Sequence, residues 1–173
     1  IGTAAREALQ LGGDLEGRME KASDEFVNAN TAADDVCLLA FTSGTTGQPK
    51  ACMHFHRDVL AMADVVGRHL LQTRPEDVYA GSPPLGFTFG LGALLVFPLR
   101  FRAASVPIEA PTPPNILAAI ERHRVTCLFT APFAYRALSA ELAGRDLSSL
   151  KRCVSAGEFL PKSVSDTWFE KTG

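Results

Sequence analysis

The opening stretch of the chain carries no sustained period of apolar positions. Charged and small polar residues alternate irregularly and end in Asn28-Ala29-Asn30-Thr31-Ala32-Ala33-Asp34-Asp35. We read residues 1–34 as a connecting or peripheral segment with a short helix near Ala4 to Leu11, and residues 35–173 as one subdomain. From Val36 the pattern changes. Val36-Cys37-Leu38-Leu39-Ala40-Phe41 is a continuous apolar run between polar residues, which predicts a strand buried on both faces. Ala51-Cys52-Met53-His54 predicts a second strand. Val59, Met62, Val66 and Leu70 share one helical face and predict a helix from about Arg57 to Gln72.

Beyond that helix, short apolar runs alternate with helical patterns. Strands are predicted at Asp77–Ala80, Ala104–Ile108, Thr126–Thr130 and Arg152–Ser155. Between them, Leu91–Phe97 predicts an apolar helix ended by Pro98. Thr112-Pro113-Pro114 opens a helix to about Arg124, with Thr112 as its cap and proline tolerated in the first turn. Pro132 opens a helix containing Tyr135 and Leu138. Pro161 opens the last, in which Leu160, Val164 and Trp168 fall at i, i+4 and i+8. Strand–helix alternation of this kind predicts an α/β fold, with a mostly parallel sheet covered by helices on both faces.

Composition narrows the function classes. Hydrophobic residues make up 46% of the 173 positions and charged residues 21%, the balance of a globular core. Lys+Arg 17 against Asp+Glu 19 leaves no basic excess to hold a nucleic-acid backbone or an anionic lipid surface. The uncharged stretch Val78–Leu99 has the length of a membrane span, but its prolines and glycines would strand backbone groups in lipid, so no membrane association is expected. Cys37, Cys52, Cys127 and Cys153 are far apart, without CxxC or zinc-type Cys–His spacing, and read as buried, reduced thiols of a cytoplasmic protein. Nothing near Ile1 resembles a signal peptide. His54-Phe55-His56 would set two imidazoles on one strand face, a metal pair without a third ligand in view.

The richest chemistry lies in Phe41-Thr42-Ser43-Gly44-Thr45-Thr46-Gly47-Gln48-Pro49-Lys50. Its glycines let the backbone turn tightly and approach a ligand. Its hydroxyls and amides can donate to phosphate oxygens, and Lys50 supplies positive charge. It is not a Walker A loop, because Gly44 and Gly47 are two residues apart and Lys50 stands three after Gly47. A plain Ser/Gly/Thr turn between two strands is the ordinary alternative.

The whole string Thr-Ser-Gly-Thr-Thr-Gly-x-Pro-Lys resembles the signature loop of the adenylate-forming superfamily, which includes acyl- and aryl-CoA synthetases, peptide-synthetase adenylation domains and luciferases. The resemblance implies that Thr42, Ser43, Gly44, Thr45, Thr46, Gly47 and Lys50 contact the phosphates of ATP, with Lys50 as the catalytic charge. Ala51 departs from the family's usual glycine. Pro84-Leu85-Gly86-Phe87-Thr88-Phe89-Gly90 resembles the segment that walls the acyl pocket, with Phe87 where many members carry histidine, and implies substrate contacts at Phe87, Phe89 and Gly90. Taken alone, the two rings are ordinary core residues. Ser155-Ala156-Gly157-Glu158-Phe159-Leu160-Pro161 resembles the segment that packs on adenine and floors the acyl pocket. Gly157, Glu158 and Phe159 would then flank the nucleotide, and Ala156 and Gly157 would leave room for a substrate ring. Without the resemblance, Glu158 reads as a solvated carboxylate near a helix N-terminus.

The wording of these segments is most similar to the benzoate and 2-aminobenzoate CoA ligase branch. That implies an aromatic carboxylate, ATP and coenzyme A as small-molecule partners, Mg²⁺ as the metal, and a homodimer as the full-length form. The family's Tyr-Gly-x-Thr-Glu string, whose glutamate holds Mg²⁺, its ribose-binding aspartate and its small C-terminal domain with the catalytic lysine do not occur in these residues. The chain therefore reads as part of an N-terminal domain, inactive by itself. The rival readings are a peptide-synthetase adenylation domain, a medium-chain fatty acyl-CoA ligase and a non-catalytic nucleotide-binding fragment.

Overall fold

The structure, a computed structural model, describes residues 14–42, 47 and 49–173. The chain divides into two units, residues 1–32 and 33–173. In the first, the described element is the short helix α1 (Asp14–Met19). The helix expected near Ala4 to Leu11 lies outside the described residues.

The second unit holds two sheets. β1 (Val36–Thr42) and β2 (Lys50–Phe55) form an antiparallel ribbon in which Leu39 faces Met53 and Thr42 faces Lys50. β3 (Val78–Gly81), β4 (Ala104–Val106), β5 (Cys127–Thr130) and β6 (Arg152–Ser155) form a parallel sheet in the order β4-β3-β5-β6. α2 (His56–Met62) follows the ribbon and continues as a π-helix over Ala63–Leu70. Its first turn is closed by Asp58, whose carboxylate accepts the Phe55 amide at 2.9 Å. Between β3 and β4 lie α3 (Thr88–Leu91), a π-helical stretch over Gly92–Val96, and α4 (Phe97–Phe101). α5 (Pro113–His123), α6 (Pro132–Ser139) and α7 (Lys162–Thr172) complete the unit.

Strand alternation sorts the core into two layers. Ala80 and Leu128 point to the face covered by Ile116, Leu117 and Ile120 of α5, Tyr135 and Leu138 of α6, and Val164 and Trp168 of α7. The rings of Tyr135 and Trp168 meet edge-on at 4.9 Å. Tyr79, Cys127 and Phe129 point the other way, against Ala63, Leu71, Ala93, Leu94 and Phe97. Helices therefore cover both faces of a parallel sheet, as the alternation predicts.

Four expectations change. β1 is not buried on both faces: Phe41 is 72% exposed and Leu39 50%, because this strand belongs to a two-stranded ribbon outside the parallel sheet. The face predicted for the helix after the ribbon drifts at its end. Leu71 donates its amide to Val66 across five residues, and this widened turn delays the return to the core by one position. Leu71 is buried and Leu70 is 74% exposed. Pro98 does not end its helix. The Phe97 amide reaches back to Gly92, and the chain restarts as α4 with Pro98 in the first turn, where its missing N–H costs nothing. Finally, only Cys127 of the four free cysteines is buried; Cys37, Cys52 and Cys153 are exposed.

The amino-terminal ends of the sheet strands are tied by one buried carboxylate. Asp77 accepts from the Thr126 hydroxyl at 2.8 Å, the Arg74 amide at 2.9 Å and the Arg152 guanidinium at 3.2 Å. Residues just before β3 and β5 are thereby joined to the first residue of β6.

Candidate functional site

Strand order locates the crevice. The chain passes from β3 to β4 on one side, then crosses back to place β5 on the other side of β3 and β6 beyond it. The order reverses between β3 and β5, and open parallel sheets bind ligands outside the carboxyl ends of strands at such a point. There the Ser82 and Thr130 hydroxyls meet at 2.5 Å, and the Ser82 amide donates to Phe129. Close packing fixes this edge. A Cβ on Gly81 would lie 2.2 Å from the Phe129 carbonyl oxygen, so β3 and β5 approach as closely as they do only with glycine at that position.

Two of the predicted segments converge on this edge. Phe87–Gly90 follows β3. Phe87 is the N-cap of α3 and 68% exposed, a flat apolar ring presented outward. Phe89 is half-buried and packs its ring on Phe129 at 5.9 Å. Gly90 is buried, and a Cβ there would stand 2.1 Å from the Pro84 carbonyl oxygen, so its smallness serves the backbone beneath it. Ala156–Phe159 follows β6. Gly157 adopts φ +94, a conformation that favours glycine, and Phe159 is 85% exposed. Glu158 accepts the Phe133 amide at 3.0 Å, at the N-terminus of α6 rather than of the α7 helix that follows it. The Ser155 hydroxyl is buried without a hydrogen-bond partner. It lines a cavity of about 300 Å³ between β6 and α7, together with Cys153, Val164 and Trp168.

The phosphate-type loop joins β1 to β2. Thr42 and Lys50 stand opposite each other across the ribbon, and the Thr42 hydroxyl donates to the Lys50 carbonyl at 3.5 Å. Gly47 takes φ +79. Ser43, Gly44, Thr45 and Thr46 lie outside the described residues. The inner face of the ribbon approaches the helix that carries Phe89: Leu38 and His54 share a cavity of about 320 Å³ with Val59, Thr88 and Leu91. Among the described residues no group of three or more His, Cys, Asp or Glu side chains could hold a metal. No described helix is long and apolar enough to cross a membrane.

Sequence reasoning missed Ser82, Thr130 and Phe133. A signal existed for Thr130, a polar residue closing the apolar run Cys127–Phe129 at the carboxyl end of a buried strand. None existed for the pairing with Ser82, which requires knowing that β3 and β5 are neighbours.

The profile of the AMP-binding enzyme family matches residues 4–173. The chain belongs to that family. Among its relatives is a benzoate–CoA ligase of Thauera aromatica, 35% identical over 157 residues, which span 87% of this chain and 29% of the relative. An acetyl-coenzyme A synthetase of Escherichia coli O157:H7 is 32% identical, over 99% of this chain and 28% of its own length. Among solved structures, an anthranilate CoA ligase in complex with anthranoyl-AMP superposes with a TM-score of 0.83 at 34% identity, covering 96% of this chain and 33% of that one. The chain thus spans about a third of the length of these relatives. Both aryl- and acetyl-activating relatives lie at similar distance.

Proposed function

We propose that this chain is the phosphate-loop and acyl-pocket part of an ATP-dependent aryl-CoA ligase acting on benzoate or 2-aminobenzoate. The observation that carries the reading is the phosphate-type string of the sequence between β1 and β2, in a chain that also presents exposed rings at Phe87 after β3 and Phe159 after β6 and whose relatives include ligases of both acids. In the first step a carboxylate oxygen attacks the α-phosphorus of ATP and pyrophosphate leaves, giving the acyl-adenylate. In the second, the thiolate of coenzyme A attacks the acyl carbon and AMP leaves. The adenylate divides one hard condensation into two easier transfers.

Residues of this chain hold and orient. Thr42, Ser43, Gly44, Thr45, Thr46, Gly47 and Lys50 cradle the departing phosphates, with Lys50 balancing their charge. Gly157, Glu158 and Phe159 shape the adenine side. Phe87, Phe89, Gly90, Ala156 and Gly157 line the acyl side, where an exposed ring offers an aryl acid a surface for offset or edge contact. Mg²⁺, supplied from outside these residues, would neutralise phosphate charge. The test is carboxylate-dependent exchange of labelled pyrophosphate into ATP. The complete ligase should show it and the 173-residue chain alone should not; absence of exchange in the complete protein with any acid refutes the reading.

A further inference from the structure

α6 begins without a cap of its own. Its N-cap residue is Ala131, which has no side-chain acceptor, and Pro132 at the next position has no amide hydrogen. The Ala134 and Tyr135 amides turn back to the Ala131 carbonyl. That leaves the Phe133 amide as the donor without a local partner, and the Glu158 carboxylate, 25 residues away, accepts it at 3.0 Å. A carboxylate at this end of a helix is also favoured by the helix dipole. Among the described residues, this is the hydrogen bond that ties positions 157–160 to the rest of the fold. The tethered segment includes Gly157 at φ +94 and the exposed ring of Phe159, at the carboxyl edge of the sheet.

We propose that Glu158 is a positioning residue: its carboxylate is spent on α6, and by capping that helix it holds the 157–160 loop in the shape the nucleotide reads through backbone and ring. The inference rests on the ligase reading and sharpens it, because Glu158 then flanks the nucleotide without touching it. An acceptor oxygen is what the cap requires, so the amide of Glu158→Gln should serve and the methyl of Glu158→Ala should not.

Two measurements on three proteins test it. Amide hydrogen exchange on the complete protein reads the cap directly. Phe133 should exchange about fivefold faster in Glu158→Ala, the scale of a lost N-cap, and stay near wild type in Glu158→Gln. In the complete ligase, KM for ATP should rise about fivefold in Glu158→Ala with kcat within about twofold, and Glu158→Gln should restore it. Unchanged Phe133 exchange in Glu158→Ala overturns the proposal. So does a Glu158→Gln ligase whose KM rises as far as that of Glu158→Ala while Phe133 remains protected, since the charge would then act on the ligand itself. A complete wild-type protein with no carboxylate-dependent pyrophosphate exchange, beside the expected Phe133 pattern, refutes the ligase reading and supports the cap.

Discussion

Replacing Asp77 by alanine should cost the fold more than any change at its exposed ion pairs. The carboxylate is 1% exposed and accepts from the Arg74 amide, the Thr126 hydroxyl and the Arg152 guanidinium. Alanine leaves all three donors behind. Thr126 can turn to the Val78 carbonyl, already 3.4 Å away, and Arg152 keeps the Gln72 carbonyl at 3.3 Å. The Arg152 side chain is also 24% exposed, so its stranded charge is partly hydrated. Taking about 1 kcal/mol for each lost neutral bond and a similar amount for the charge gives about 3 kcal/mol, the low end for breaking a buried pair. Trp168 is the single tryptophan and is buried, so its fluorescence follows urea unfolding. With an unchanged slope, the midpoint should fall by about 1.5 M. Arg152→Ala added to Asp77→Ala should cost little more, because the partner is already gone. A midpoint shift under about 0.5 M for Asp77→Ala, or two strictly additive losses, refutes the account of this clasp.

The same group sets an acid dependence. Burial pushes the Asp77 carboxyl up, but the Arg74 amide, the Thr126 hydroxyl and the Arg152 guanidinium together outweigh it and leave it below the usual carboxylate value. A carboxylate depressed in the folded state stabilises above its unfolded pKa of about 4, and that stability fades as pH falls through the lower folded value. Wild type should therefore lose stability below about pH 4 along a slope that Asp77→Ala partly lacks, as unfolding midpoints at several pH values would show. Gly81→Ala should destabilise by about 1–3 kcal/mol in the same urea assay, because the new methyl meets the Phe129 carbonyl oxygen and must part β3 from β5; a loss near zero would mean that the edge is softer than described. Lys50→Ala, on an exposed ribbon position, should leave the unfolding midpoint near wild type while lowering kcat/KM for ATP about a hundredfold in the complete ligase, the scale of losing one charge-stabilising group. A comparable loss of stability would make Lys50 a structural residue.

Much of the fold was legible because each strand of the parallel sheet is a short apolar run bounded by polar residues. Arg152–Ser155 forms a strand with the expected bounds, and Pro132 opens its helix as expected. What escaped depends on partners distant in sequence. Val36–Phe41 has the composition of a fully buried strand, yet pairing only with β2 leaves Phe41 facing solvent, and hydrophobicity alone does not reveal which sheet a strand joins. The π-turn that buries Leu71 instead of Leu70, and the one that carries the chain past Pro98, each add a residue to a turn, which a fixed 3.6-residue period does not anticipate. At the candidate site, the Gly-rich string and the residues after β6 announced themselves by type and order. The Ser82–Thr130 contact and the reach of Glu158 to Phe133 arise only once β3, β5 and β6 lie side by side.

The ligase reading requires an aryl acid to be activated at the carboxyl edge of this sheet. The measurement that tests it most directly is kcat/KM of the complete ligase across benzoate, 2-aminobenzoate, acetate and a medium-chain fatty acid, followed by pyrophosphate release with ATP and coenzyme A present. An aromatic ring seated against Phe87 and Phe89 should favour the two aryl acids by at least about tenfold, roughly 1.4 kcal/mol of differential contact. A preference for acetate or the aliphatic acid would contradict the reading and favour an acetyl- or medium-chain fatty acyl-activating enzyme instead.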